Sequence, residues 1–233
     1  MTVGSILNES YEYYRRAGRR LTALAASMFA LTSLLFAVAD DAKHRDSVAI
    51  ASVWQIVFTV TTIVGSAWLQ AVLILAVEEG RNGRPQPPGA ELYRRAKPYL
   101  LPVLIVALGA SLLAGVLSLL SLIAIPILLF LLTRWVICVP IVVVEEISLR
   151  KVFGRANTLL KGNFLNMLLL ALLSFIILTM MTLAGLALLA FLPQFPRVWL
   201  AMFLANTIAM PPVMVAWTVA YYQLARVRPV ALA

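Results

Sequence analysis

Long stretches free of charged side chains dominate this chain: Leu21 to Ala39, Val48 to Val77, Tyr99 to Thr133, Trp135 to Val144, Phe164 to Pro196 and Val198 to Ala225. About 20 apolar residues of α-helix cross the roughly 30 Å hydrocarbon core of a bilayer, so most of these stretches are long enough to do so. Between Tyr99 and Val144 the only charge is Arg134. An unbroken helix over that length, rising about 1.5 Å per residue, would be about 69 Å long and more than twice the core. The chain must therefore reverse, and the place is Ser121 to Pro126, where a proline cannot continue a helix laid down before it. The pattern predicts an all-α, polytopic membrane protein with six transmembrane helices, roughly 21 to 39, 50 to 77, 99 to 120, 125 to 144, 165 to 192 and 199 to 224. The 233 residues form a single transmembrane domain.

Composition agrees, with 62% hydrophobic and 12% charged residues and a mean hydropathy of +0.94. That excludes a soluble enzyme, a disulfide scaffold and a disordered chain. The single cysteine, Cys138, lies inside the fourth span. A net charge of +9 would suggest nucleic acid in a soluble protein, but its distribution gives another reading. Fifteen of the 19 Lys and Arg lie in the N-terminal segment, the second and fourth loops and the C-terminus; only Lys43, Arg45 and Arg197 lie on the other side. Basic loops stay cytoplasmic, so both termini are expected there, in the plasma membrane of a prokaryote, with no nucleic-acid partner. A basic leader, an apolar stretch and Ala37-Val38-Ala39 also fit a cleavable signal. The leader is long for one and the apolar stretch at the top of the usual length, so a retained first span is expected.

Two short patterns recur. Ala67-Trp68, Arg134-Trp135 and Ala216-Trp217 align, and ten residues after the first two tryptophans come Glu78-Glu79 and Glu145-Glu146. Ahead of spans one, three and five, Tyr14-Arg15-Arg16-Ala17, Tyr93-Arg94-Arg95-Ala96 and Phe153-Gly154-Arg155-Ala156 each read aromatic, any residue, Arg, Ala. Each lies in an amphipathic segment; in the clearest, Leu149, Val152, Phe153, Ala156 and Leu160 share one helical face, away from Arg150, Lys151 and Arg155. Such helices lie in the headgroup plane, apolar face down, with basic side chains toward lipid phosphate. The expected architecture is three parallel repeats of interfacial helix plus transmembrane hairpin, at about 3 to 80, 81 to 147 and 148 to 233. Arg15, Arg16, Arg94, Arg95, Arg150, Lys151 and Arg155 are the expected contacts with anionic inner-leaflet phospholipid. The acidic pairs are expected to fix how each interfacial helix leaves its span by pairing with Arg94, Arg95, Arg150 or Arg155, a positional effect, since surface pairs contribute little stability.

Pro126, Arg134-Trp135, Pro140, Glu145, Arg155, Lys161-Gly162, Tyr221-Tyr222 and Arg226 are similar to a prokaryotic multi-pass family labelled after the membrane domain of glycerophosphoryl diester phosphodiesterase, with YciC-like relatives. The chain departs from the family pattern at Ile127, where glycine is usual, and at Ala156-Asn157, where a serine is common. The resemblance implies a fold and a link to phospholipid, and little chemistry.

Candidate chemistry is sparse. Phosphodiesterase chemistry needs a metal held by carboxylates and histidines, and the one histidine, His44, stands in a polar loop with Asp40, Asp41 and Asp46. Nucleophile-elbow, Walker and zinc-protease motifs are missing from the sequence. No enzyme activity, cofactor or metal is expected. Arg134 is the residue that topology leaves unexplained, because an intramembrane charge costs roughly 2.5 to 3.5 kcal/mol or more and usually faces a bundle interior. Its expected partners are backbone carbonyls, Gln70, Asn206, Thr218, a tryptophan such as Trp135, water, or a ligand anion. Arg134, Trp135 and Gln70 form the candidate ligand or lipid-phosphate site. Pro140 and Pro211-Pro212 are expected to kink or unwind their spans. The expected function is binding, as an accessory or scaffold subunit held against another membrane protein or a second copy, or as a lipid-organising protein; the alternative is a transporter component with its site at Arg134.

Overall fold

In the computed structural model, which describes residues 2–45, 48–82, 87–118 and 124–227, all the described regular structure is helical. The order is α1 (Val3–Arg45), α2 (Val48–Arg81), α3 (Gly89–Ala96), a single 3-10 turn (Lys97–Tyr99), α4 (Leu100–Ser118), α5 (Ala124–Glu145), α6 (Leu149–Leu160), α7 (Phe164–Leu188) and α8 (Gln194–Val227). Four helices, α1, α2, α7 and α8, are long and apolar enough to cross a membrane by length and composition. The reversal expected at Ser121 to Pro126 falls partly on 121–123, outside the described residues, as do Asp46, Arg84 and Arg228. Pro126 itself stands in the first turn of α5, where the missing N–H costs nothing.

Each long helix packs antiparallel on the next: α1 on α2, α4 on α5, α7 on α8. The second members, α2, α5 and α8, also touch one another pairwise, and α1 packs on α8. That last contact is held at both ends, by Gln194 Nε2 donating to Asp40 (3.1 Å) and Gln223 Nε2 donating to Glu9 (2.9 Å). Burial follows this arrangement. The buried residues of α2 begin at Gly65 and run to Val77, while Val53, Ile56 and Val60 toward its start are exposed. On α5 the run Ile137 to Val143 is buried, and on α8 Val215 to Leu224 supplies the facing wall.

Two expectations change. Residues 3–20 do not form a separate headgroup-plane helix, because α1 is continuous for 43 residues, about 64 Å. Before α4 and α7 the chain is broken, by Lys97-Pro98 and by Gly162 in the left-handed region (φ 82°) respectively. The corresponding stretch of α1 holds only Gly18, which a helix tolerates. The apolar faces of α3 and α6 also do not point away from the protein. Leu92, Ala96, Val152, Ala156 and Leu160 are buried in the common core, since packing against neighbouring helices removes the same area that lipid would cover. Phe153 is the exception on its face, at 44% exposed, and Leu149 has no described side chain.

The prolines do not interrupt their helices: α5 runs through Pro140 and α8 through Pro211-Pro212. The α7–α8 hairpin depends on close approach near its turn, where a Cβ on Gly185 would lie 3.3 Å from the backbone of Ala201. Small residues at such crossings let membrane helices meet backbone to backbone. Gly185→Leu is therefore expected to destabilise the protein by about 1 to 3 kcal/mol, read as a lower midpoint of unfolding in mixed detergent micelles; an unchanged midpoint would mean the hairpin is free to open.

Candidate functional site

Where α2, α5 and α8 converge, they and α4 line a partly open cavity of about 200 Å³, bordered by Gln70, Val106, Trp135, Pro140, Trp217 and Thr218. Its walls are apolar with a few polar groups, and none of the lining residues carries a charge. The Thr218 hydroxyl donates to the Met214 carbonyl one turn back (2.8 Å). The Trp135 indole N–H is buried without a partner, an uncommon state for a buried donor. Pro140 has no N–H to give the carbonyl of Val136 four residues earlier, so a backbone acceptor is freed beside the same space. Gln70 makes no side-chain hydrogen bond among the described residues.

Two of the three predicted site residues, Gln70 and Trp135, thus border one cavity. Arg134 does not line it. Its guanidinium lies over the ring of Phe130, 4.4 Å from the centroid, and Phe130 in turn packs against Phe164 at the start of α7 (4.9 Å). Two of the partners expected for it, Asn206 and Thr218, are engaged elsewhere: Asn206 donates to the Met202 carbonyl (2.9 Å) and Thr218 to Met214. A phenyl face is attractive to guanidinium, which is why a phenylalanine one turn away on the same helix serves where a tryptophan was expected.

The repeated motifs meet in pairs. The Trp68 ring meets that of Tyr93 edge-on at 5.5 Å, and its indole donates to the Tyr93 carbonyl (3.2 Å). Trp135 meets Phe153 edge-on at 6.0 Å. Below them the acidic pairs meet the arginines that follow those aromatics, Arg95 with Glu79 at 2.8 Å and Arg155 with Glu145 at 3.0 Å. The two pairs differ in kind. The Arg95 side chain is half exposed and shared with Glu91, whereas Arg155 and Glu145 are 13% and 8% exposed and Tyr221 also donates to Glu145 (3.0 Å). The Glu145 pair is mostly buried, where a surface pair was expected. Hydrogen bonds from Arg94 and Arg95 hold the Glu91 carboxyl below its ordinary value.

Of the predicted lipid contacts, Arg15, Arg16, Arg94, Arg95, Arg150 and Lys151 are exposed; Arg155 is turned inward. Sequence reasoning missed the polar knot at the ends of α2 and α8, where Arg81 pairs with Glu9 (2.5 Å) and lies over the Tyr222 ring (4.5 Å). Nothing in local spacing links positions 9, 81 and 222; the one clue was an acidic residue within a basic leader. His44 Nδ1 lies 2.8 Å from the carbonyl of Asp40, and no group of three metal-ligating side chains occurs among the described residues. No family model, curated protein or solved structure matches the chain.

Proposed function

We propose that the protein is a six-span integral membrane protein of three parallel units that works by binding, without chemistry of its own, as a lipid-organising protein or an accessory subunit of a membrane complex. In this reading α4 and α5 are the third and fourth spans, and the helix pairs α1–α2, α4–α5 and α7–α8 are the three hairpins. The basic residues of the α1 start, α3 and α6 face anionic lipid at the cytoplasmic surface of a prokaryotic plasma membrane, and both termini lie there. The repeat is supported by the like pairing of Trp68 with Tyr93 and Trp135 with Phe153. The phospholipid link is also what the family resemblance implies.

The observation that carries the binding reading over transport is the centre of the bundle. The space between α2, α5 and α8 is about 200 Å³, below the 300 Å³ or so at which sites for drug-sized ligands begin, and Arg134 does not line it. A conduit for a whole lipid needs a larger space with its charge inside. Exposed apolar side chains on α7, among them Leu165, Phe175, Met180 and Leu183, leave a long face for lipid or a partner helix.

Native mass spectrometry from mild detergent tests this. The protein is expected to retain anionic phospholipid in preference to zwitterionic, and Arg150→Gln with Lys151→Gln to weaken that preference by roughly tenfold or more, near 1 kcal/mol per charge. Arg134→Ala is expected to leave it unchanged. Bound lipid that mirrors the bulk membrane would overturn the lipid reading, and loss of a specific ligand with Arg134→Ala would favour transport.

A further inference from the structure

We infer that the cavity between α2, α5 and α8 is a binding site for a small, neutral amphiphile carrying one hydrogen-bonding group, and that it rejects anions. The inference deepens the binding reading above and changes the chemistry expected from sequence, where Arg134 made the site anionic. Two lining residues carry side-chain polar groups without a partner, the Trp135 indole N–H and the Gln70 amide, and Pro140 has no N–H to give the carbonyl of Val136. Together they offer donors and an acceptor, and they carry no charge. Around them Val106, Ile74, Val139 and Met214 make the rest of the wall apolar.

An ionised group entering such a space would lose its hydration with nothing to replace it, a large cost. The Arg134 guanidinium, which would have offset that cost, lies over Phe130 and outside the lining. A hydroxyl or an amide loses less and regains it through Trp135 and Gln70. About 200 Å³ limits the occupant to a short chain with one head. Ser111 of α4 lines the cavity and is exposed, so the cavity is open beside α4.

The full chain in nanodiscs, labelled with ¹⁵N at its tryptophan indoles, tests the site with 1-octanol, octanoate and octane as probes. Octanol is expected to shift the Trp135 and Trp217 indole resonances saturably; octanoate at pH 8 and octane are expected to bind at least tenfold more weakly. Trp135→Phe and Gln70→Leu, read through Trp217, are each expected to weaken octanol about two- to tenfold. Ala107→Phe, which fills the space from α4, is expected to abolish the shifts while the other indole resonances stay dispersed. Octanoate binding as well as octanol, octane binding equally, or an octanol shift that survives Ala107→Phe would each overturn the proposal. None of these outcomes touches the lipid reading, which fails separately if anionic phospholipid is not retained.

Discussion

Glu145→Ala is expected to destabilise the protein by about 2 to 3 kcal/mol, somewhat below the cost of removing one partner from a fully buried ion pair, because this pair is part-buried. The loss is large because of what remains. Arg155, 13% exposed, keeps its guanidinium within the junction of α5 and α6 without the carboxylate that meets its Nε at 3.0 Å, and the Tyr221 hydroxyl of α8 loses its acceptor. Three elements are joined at that carboxylate, so its removal loosens the attachment of α6 to both inner helices. Glu145→Gln, which keeps an acceptor for Tyr221 but removes the charge, should fall between wild type and alanine. Arg94→Ala, on an exposed side chain of α3, should not measurably move the unfolding midpoint, because water screens its pair with Glu91. Unfolding midpoints of the four proteins in mixed micelles check the order. Equal midpoints for Glu145→Ala and Arg94→Ala would mean that the Glu145 junction is hydrated and that its geometry does not stabilise the fold.

The contrast between those two arginines marks how far the sequence could be read. Apart from α1, which starts at Val3 and not near residue 21, the apolar runs placed the long helices to within about five residues, because a helix in hydrocarbon must satisfy its own backbone and so announces itself by length and absence of charge. The aromatic, any residue, Arg, Ala pattern also picked out α3 and α6, whose alternation of apolar and basic positions is a local property. Burial is not local. Arg95 and Arg155 occupy the same place in that pattern, yet one is half exposed and the other enclosed, because only Arg155 lies beside α8 and its Tyr221. For the same reason the sequence showed that Arg134 needed a partner and could not say which. Its neighbour Phe130 is one turn away, but so is Cys138, whose thiol instead donates to the Arg134 carbonyl (3.3 Å). The continuity of α1 was a different kind of miss. The amphipathic Tyr14-Arg15-Arg16-Ala17 segment suggested a helix in the headgroup plane, whereas direction changes follow from backbone breaks such as Pro98 and Gly162, and α1 has none of that kind.

Trp217→Ala carries the other large expected effect, a loss of about 3 kcal/mol. Truncating a buried aromatic usually costs roughly 3 to 5 kcal/mol, part of it the transfer of the lost atoms from water and part the cavity left behind. Between membrane helices the transfer part shrinks, because lipid tails are as apolar as the side chain they replace. The cavity part stays, since the atoms around the removed indole lose their dispersion contacts outright. Trp217 is 3% exposed and borders the space at the meeting of α2, α5 and α8, so its removal enlarges an existing void instead of opening a new one, and collapse of the three helices to fill it would break the contacts that hold α4 and α6. Trp54, 36% exposed near the start of α2, provides the control. Its truncation exchanges indole for lipid on an outer surface and should cost under about 1 kcal/mol, in the range of substitutions away from a core. Unfolding midpoints in mixed micelles distinguish the two. A similar small loss for both would mean that the three inner helices are held from outside, by lipid or a partner, and not by their own packing.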